Sequence, residues 1–184
     1  METILSSEIH QILVESMHEV SGIEPQEAFL SGNKKFLQAL ERVLYDRFGS
    51  LTGKGMAIRM GRSGFQTGLR RWGETLGLYS LEYRLLPFNR RVKVGLEQIA
   101  RFLEEQAPLR MSICEEDNFW VIEVTQKPAC AEHSNTITCY LLTGMFQEFM
   151  QWVGSGRFFP VRETLCRTKG APCCRFEISR KPLE

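Results

Sequence analysis

The sequence predicts an α+β domain: N-terminal helices, then a β-β-α-β-β unit forming a four-stranded antiparallel sheet with helices packed on one face. Three observations carry this. Apolar residues recur at three-to-four spacing through most of the first 105 residues. Four runs rich in β-formers follow, Leu109–Ile113, Phe119–Thr125, Phe158–Cys166 and Cys173–Ser179, with turn residues between them. Between the second and third lies one more helical pattern, Thr136–Val153.

Taken in order, Ser6 or Ser7 can cap a first helix carrying Ile9, Ile12, Leu13, Met17 and Val20, with Gly22 placed to stop it. Beyond Pro25, Asn33 is the candidate cap of a second helix, with Phe36, Leu37, Leu40, Val43 and Leu44 on one face and its end near Gly49. Thr52–Leu76 holds Gly53, Gly55, Gly61, Gly64, Gly68 and Gly73, each costing about 1 kcal/mol against Ala in a helix interior. It still reads as helix from Lys54 to Trp72. There Ala57, Gly61, Gly64 and Gly68 form a small-residue stripe that admits a neighbouring helix backbone or a flat ligand, helix packing being the first reading. Gly77–Arg91 reads as an extended segment, strand or loop, running into Pro87. Val92–Glu105 is an amphipathic helix with Leu96, Ile99, Ala100 and Leu103 on one face, ended by Pro108. Gln126–Asn135 is a loop holding Cys130 and His133, and Gly154-Ser155-Gly156 stops the last helix.

A chain of 184 residues supports one domain, 1–184, with 1–50 as N-terminal helices and a candidate dimerisation region and 51–184 as a ligand-binding core. A formal charge of +1 gives no reason to expect nucleic acid or an anionic membrane as partner. The arginines crowding the middle third, Arg59 to Arg91, read as a solvated face. No apolar run reaches the roughly 18 residues of a transmembrane helix. Glu2, Glu8, His10, Glu15 and His18 interrupt any signal-peptide pattern, so a cytoplasmic location is expected. All six cysteines fall after residue 113, which in such a chain argues for reduced thiols or metal ligands.

Glu163–Ile178 concentrates the chemistry. A hairpin reversing at Lys169-Gly170-Ala171 sets Cys166 opposite Cys174, close enough to share a metal ion or, with adjustment, a disulfide. Glu163 lies three residues before Cys166, and strand side chains alternate, so it joins the two thiols only if the strand is irregular near Leu165. Cys173 points to the other face, and Cys114 on the first strand reads as a core or cross-strand residue.

The pattern Glu-x-x-Cys-x-x-x-Gly-x-x-x-Cys-x-Phe-x-Ile over Glu163–Ile178, preceded by a helix with Cys139 and Gly144, resembles the 4-vinyl reductase domain family. That family includes a bacteriochlorophyll-pathway protein and the sensory domains of phenol-responsive activators, and it shares its fold with nitric-oxide-signalling and Golgi-transport domains. The resemblance implies a structural zinc held by Cys139, Glu163, Cys166 and Cys174, with Cys130 as a substitute for Cys139. Three thiolates and a carboxylate leave no open position for an activated water, so such a metal staples the fold. The resemblance also implies a hydrophobic small-molecule ligand, aromatic or tetrapyrrole-like. Trp120, Phe65, Trp72, Tyr140 and Phe149 are the candidate aromatic lining, Trp120 foremost, and Arg62 and Arg70, with Arg71, are candidate partners for ligand carboxylates. Phe146 and Trp152 belong to the same aromatic set.

The second reading is a protein-assembly factor, for example for photosystem or pigment–protein assembly, working as a homodimer with a protein partner. The third is a vinyl-tetrapyrrole reductase. For the latter the chain offers no phosphate-cradling loop, because Gly61-Arg62-Ser63-Gly64 lies within a helical pattern. His10, His18 and His133 are too scattered for a catalytic or haem site.

Overall fold

The first helix starts where Ser6 accepts a hydrogen bond from the Ile9 amide (3.3 Å). It ends where Gly22, at φ 64°, donates to the His18 carbonyl. This is α1, Ser7–Ser21. A computed structural model describes residues 5–24, 36–126 and 137–183. Pro25, Asn33, Cys130 and His133, all singled out above, lie outside those residues. The second helix, α2, runs Phe36–Trp72 and breaks at Gly49 (φ 75°, ψ 166°). The helix end expected near Gly49 is this break, and the glycine-rich arm beyond it is helical to Trp72.

Tertiary contact explains why so many glycines remain in that arm. A Cβ on Gly61 would run into the Leu141 carbonyl, and one on Gly144 into the Ile58 carbonyl. The two glycines face each other's helices and let α2 and the helix of Ile137–Val153 pack backbone to backbone. A polar clamp flanks the contact: Arg62 donates to Glu148 (2.7 Å) and Gln151 (2.6 Å), and Gln66 donates to Glu148 (2.6 Å). Glu148 is buried, and an ionised carboxylate in that position needs these partners.

The extended segment expected over Gly77–Arg91 is instead a turn, a short helix and the start of a longer one. Ser80 accepts from the Tyr83 amide (3.1 Å) and so caps α3, Leu81–Leu85. Pro87 immediately precedes α4, Phe88–Gln106, four residues earlier than the Val92 start expected. Here Tyr83 turns inward and donates from its hydroxyl to the Arg91 carbonyl (3.0 Å), while Leu81 and Leu85 stay exposed.

Among the described residues one sheet forms, in the order β1-β2-β4-β3, antiparallel throughout. Its strands are β1 Arg110–Glu115, β2 Phe119–Gln126, β3 Val161–Leu165 and β4 Cys174–Ser179, and α5, Ile137–Val153, separates the hairpins. The predicted β-β-α-β-β core is therefore present, with helices packed against one face of the sheet. Trp120, Ile122, Val124, Cys174, Phe176 and Ile178 are buried on that face. On the outer face Arg175 binds Glu116 (2.5 Å), Glu123 (3.2 Å) and Glu177 (3.1 Å). Cys114 stands across from Val121 in the β1–β2 pair, the cross-strand position expected, and is exposed instead of core.

Candidate metal cluster and apolar cavity

The β3–β4 hairpin carries a local irregularity where the sequence requires one. Glu163 pairs with Phe176, but the next pairing is Leu165 with Arg175, so Thr164 is an extra residue in β3. Continuing that register places Cys166 opposite Cys174. The bulge turns Glu163 to the same side as Cys166, and a 3₁₀ turn at Arg167–Lys169 closing on Gly170 (φ 89°) returns the chain. Ligand atoms of Cys139, Glu163, Cys166 and Cys174 all lie within 4.8 Å of one another. Cys139 comes from the first turn of α5, so the cluster ties helix to hairpin.

The distances suit one ion. The Cys139 and Cys166 sulfurs stand 3.7 Å apart, too far for a bond of about 2.05 Å. A tetrahedron with arms of about 2.3 Å has edges of roughly 3.75 Å. Two further contacts reach the sulfurs: the Arg167 amide donates to Cys174 Sγ (3.3 Å), and Thr168 Oγ1 lies 3.0 Å from Cys166 Sγ, where either group can be the donor. Glu163 Oε1 is buried with no hydrogen-bond partner, which leaves a carboxylate oxygen in want of a cation. Burial, and then the negative charge of Glu163, hold the neighbouring Tyr140 phenol above its ordinary range. Cys173 stands apart from the cluster, its thiol pushed up first by burial and then by Glu123.

Also bordered by α5 is an apolar cavity of about 150 Å³. Ile9 and Leu13 of α1, Phe65 and Trp72 of α2, Phe102 and Leu103 of α4, and Leu141, Leu142 and Met145 of α5 form much of its wall. Gly61, Gly64 and Gly68 line it too. The small-residue stripe therefore serves both readings: Gly61 admits a helix backbone, whereas a Cβ on Gly64 would meet only Ile12 and Ser16 atoms at 3.5 Å. Among the described residues the wall holds no Asp, Glu, Lys, Arg, His, Cys or Tyr, and Thr138 is its one hydroxyl-bearing residue.

The residues singled out from sequence fall into three places. Cys139, Glu163, Cys166 and Cys174 meet in the cluster. Phe65 and Trp72 line the cavity. The other pocket candidates do not. Trp120 is sealed on the inner sheet face between Phe88, edge-on at 5.9 Å, and Arg180, 5.3 Å over its ring. Phe149 is core, edge-on to Phe65 at 6.0 Å. Tyr140 sits beside the cluster, with Lys54 5.8 Å over its ring. Arg62 belongs to the interhelical clamp, and Arg70 is exposed and bonded to Thr67 (3.0 Å). What the sequence reading lacked was the share of α1 and α4 in the wall. Apolar helical periodicity marks a buried face but does not separate a filled core from a hollow one.

No family model and no curated protein matches the chain. Solved structures match its fold. An H-NOX protein from S. oneidensis in the Fe(II)NO ligation state is 11% identical, with a TM-score of 0.67 over 98% of this chain and 100% of that one. An Fe(II) unliganded H-NOX protein mutant from K. algicida is 10% identical, with a TM-score of 0.62 over 98% and 97%. The phenol-responsive sensory domain of the transcription activator PoxR, with phenol, is 17% identical, with a TM-score of 0.56 over 80% and 74%. At these identities the likeness is one of fold. The expected relation to the nitric-oxide-signalling fold stands at that level, and the likeness to the 4-vinyl reductase family rests on the C-terminal motif. No helix of the described residues is long and apolar enough to cross a membrane.

Proposed function

We propose that this chain is a small-molecule-binding domain whose α1–α2–α4–α5 cavity takes an apolar ligand of about one ring. A structural zinc on Cys139, Glu163, Cys166 and Cys174 holds the sheet against α5. The observation that carries the reading is the cavity itself: about 150 Å³, walled almost wholly by apolar side chains. Cavities of about 150 Å³ lined by Leu, Ile and Phe are large enough for benzene. The fold is the one seen in the phenol-responsive domain of PoxR and in H-NOX proteins, which supports a ligand-binding role here.

A tetrapyrrole fits the residues less well. The described wall has no cation for its carboxylates and no His, Cys or Tyr for a bound iron, only the thioethers of Met60 and Met145. The cavity also falls below the roughly 300–1,000 Å³ of sites for drug-sized ligands. Zinc fits the other site: three thiols, one buried carboxylate oxygen without a partner, and the 3.7 Å sulfur separation. When bound, it supplies a cross-link in place of reactive chemistry, because the protein fills all four positions. Membership of the 4-vinyl reductase family is part of this reading, supported by the Glu163–Ile178 motif and its bulge. The binding unit we propose lies on both sides of residue 50, since Leu5, Ile9, Leu13 and Leu37 contribute to the wall.

The test is calorimetric titration of the purified chain with benzene, toluene, phenol and a porphyrin, beside elemental analysis. Saturable binding of a single-ring ligand at one per chain is expected, with one zinc per chain. A chain that binds the porphyrin and no single-ring compound would overturn the ligand class, and metal content far below one per chain would overturn the staple.

A further inference from the structure

We propose that a second cleft, at the C-terminal end of α5, binds a small aromatic carboxylate, with Arg84 and Arg91 taking the carboxylate and Trp152 and Tyr79 the ring. The cleft has a volume of about 480 Å³ and opens where the last turn of α5 meets α3 and the first turn of α4. That is within the roughly 300–1,000 Å³ of small-molecule sites. Leu78 is the one residue it shares with the apolar cavity, so the proposal stands independently of the cavity reading.

Arg84 and Arg91 line this cleft, and no acid does. Among the described residues neither guanidinium pairs with a carboxylate, whereas Arg62, Arg71, Arg175 and Arg180 each bind a glutamate. Arg91 is instead held by neutral groups. Its Nη1 donates to the Arg84 carbonyl (3.3 Å) and its Nη2 to the Val153 carbonyl (3.2 Å), so α3 and α5 both fix it. The Arg91 carbonyl in turn accepts from the Tyr83 hydroxyl (3.0 Å). These carbonyls occupy part of the guanidinium's five N–H donors and supply no opposite charge. Two like charges on one wall repel, and a carboxylate between them removes that repulsion and gains charge-assisted hydrogen bonds. A guanidinium already fixed by the fold gives up little freedom when the ligand arrives.

The rest of the wall suits a flat body. Trp152 lies parallel to Tyr83, with ring centroids 6.1 Å apart and an interplanar angle of 9°, and Tyr79 meets Trp152 edge-on at 6.3 Å. Tyr79 is exposed and Trp152 half-buried, which leaves ring surface for a ligand to cover. Ser155 also lines the cleft, at φ 56°, the one non-glycine residue at positive φ among the described residues. Glycine, its neighbour on both sides, takes that conformation freely, and strained side chains cluster at binding sites. The Ser155 hydroxyl is a further donor at the cleft.

Calorimetric titration of the full chain with benzoate, beside inorganic phosphate and toluene, tests this. Benzoate is expected to bind at one per chain, more weakly as salt is raised, and roughly tenfold more tightly than phosphate. Arg84→Gln should weaken benzoate by about fivefold and Arg91→Gln by about tenfold, both leaving toluene within about twofold. No binding of benzoate, an affinity unmoved by Arg84→Gln, or competitive displacement of benzoate by toluene would overturn the site. Phosphate binding as tightly as benzoate would overturn the aromatic class. Thermal melts show whether Arg91→Gln keeps its fold, and where it does not, Arg84→Gln at its exposed position decides. Failure of toluene to bind would remove the apolar-cavity reading and leave this one standing.

Discussion

The two flanks of α5 differ in how they are built. One turns Cys139 toward Glu163, Cys166 and Cys174, donors gathered within a single hairpin and one helical turn. The other turns Thr138, Leu141, Leu142 and Met145 toward a hollow whose remaining walls come from α1, α2 and α4. Polar ligands from one hairpin and one helical turn define the first flank, and apolar side chains drawn from most of the chain define the second. A metal site needs particular elements at particular spacings. A cavity needs only that packing stop short, and many apolar sequences would do that equally well.

The sharpest way to break this contrast is to remove the metal. With free zinc a thousandfold above its Kd, the staple contributes about 4 kcal/mol, so a chelator should lower the denaturation midpoint of the unaltered chain by that equivalent. It should do nothing to Cys166→Ser. If the chelator leaves the midpoint unmoved, the cluster carries no staple.

Next in size is Gly144→Ala. The added methyl strikes the Ile58 carbonyl, a backbone atom with little room to yield, and a loss of about 2–3 kcal/mol is expected in urea unfolding. Gly64→Ala, on the facing stripe, is its counterpart. Its Cβ meets only ordinary contacts, so helix propensity should raise stability by about 0.5–1 kcal/mol while the ligand loses space. A destabilised Gly64→Ala with unchanged ligand binding would erase the distinction between packed and hollow ends of the stripe.

Tyr83, outside both regions, gives a control in pH. Burial holds its phenol well above the ordinary tyrosine range, against the smaller opposing effect of Arg91. The folded state thus keeps a proton that the unfolded chain releases above a pH of about 10. Its contribution is complete below that pH and is lost above it, at no more than about 1.4 kcal/mol per pH unit. The difference in stability between the unaltered chain and Tyr83→Phe, followed by denaturant titration from pH 8 to 11, should shrink over that interval. A constant difference would show that the phenol does not titrate with unfolding.

Much of this architecture is legible in residue order because it depends on neighbours a few positions apart. Ser6 and Gly22 bound α1 through their own hydrogen bonds, Gly49 marks the break in α2, and the cysteine hairpin dictates its own register. The bulge at Thr164 was demanded by chemistry, since Glu163 and Cys166 cannot share a face on a regular strand. Gly77–Arg91 reads as extended from its sequence, whereas the Ser80 cap and the Tyr83–Arg91 bond accompany a short helix and the start of a longer one. Trp120 lies outside the cavity lining for a different reason: an aromatic ring on an inward strand position can face several neighbours, and here those are Phe88 and Arg180, distant in sequence.

Residue order alone thus set the α+β class, the limits of α1 and the hairpin that places Cys166 opposite Cys174, because caps and turns act within a few residues, whereas Cys139, in a separate helix, joined the donor set only through the family resemblance. Tertiary structure alone decided where space remains. Whether Gly61 meets a carbonyl or Gly64 faces a hollow depends on how four helices stack, and no local pattern of apolar residues records the gaps between them.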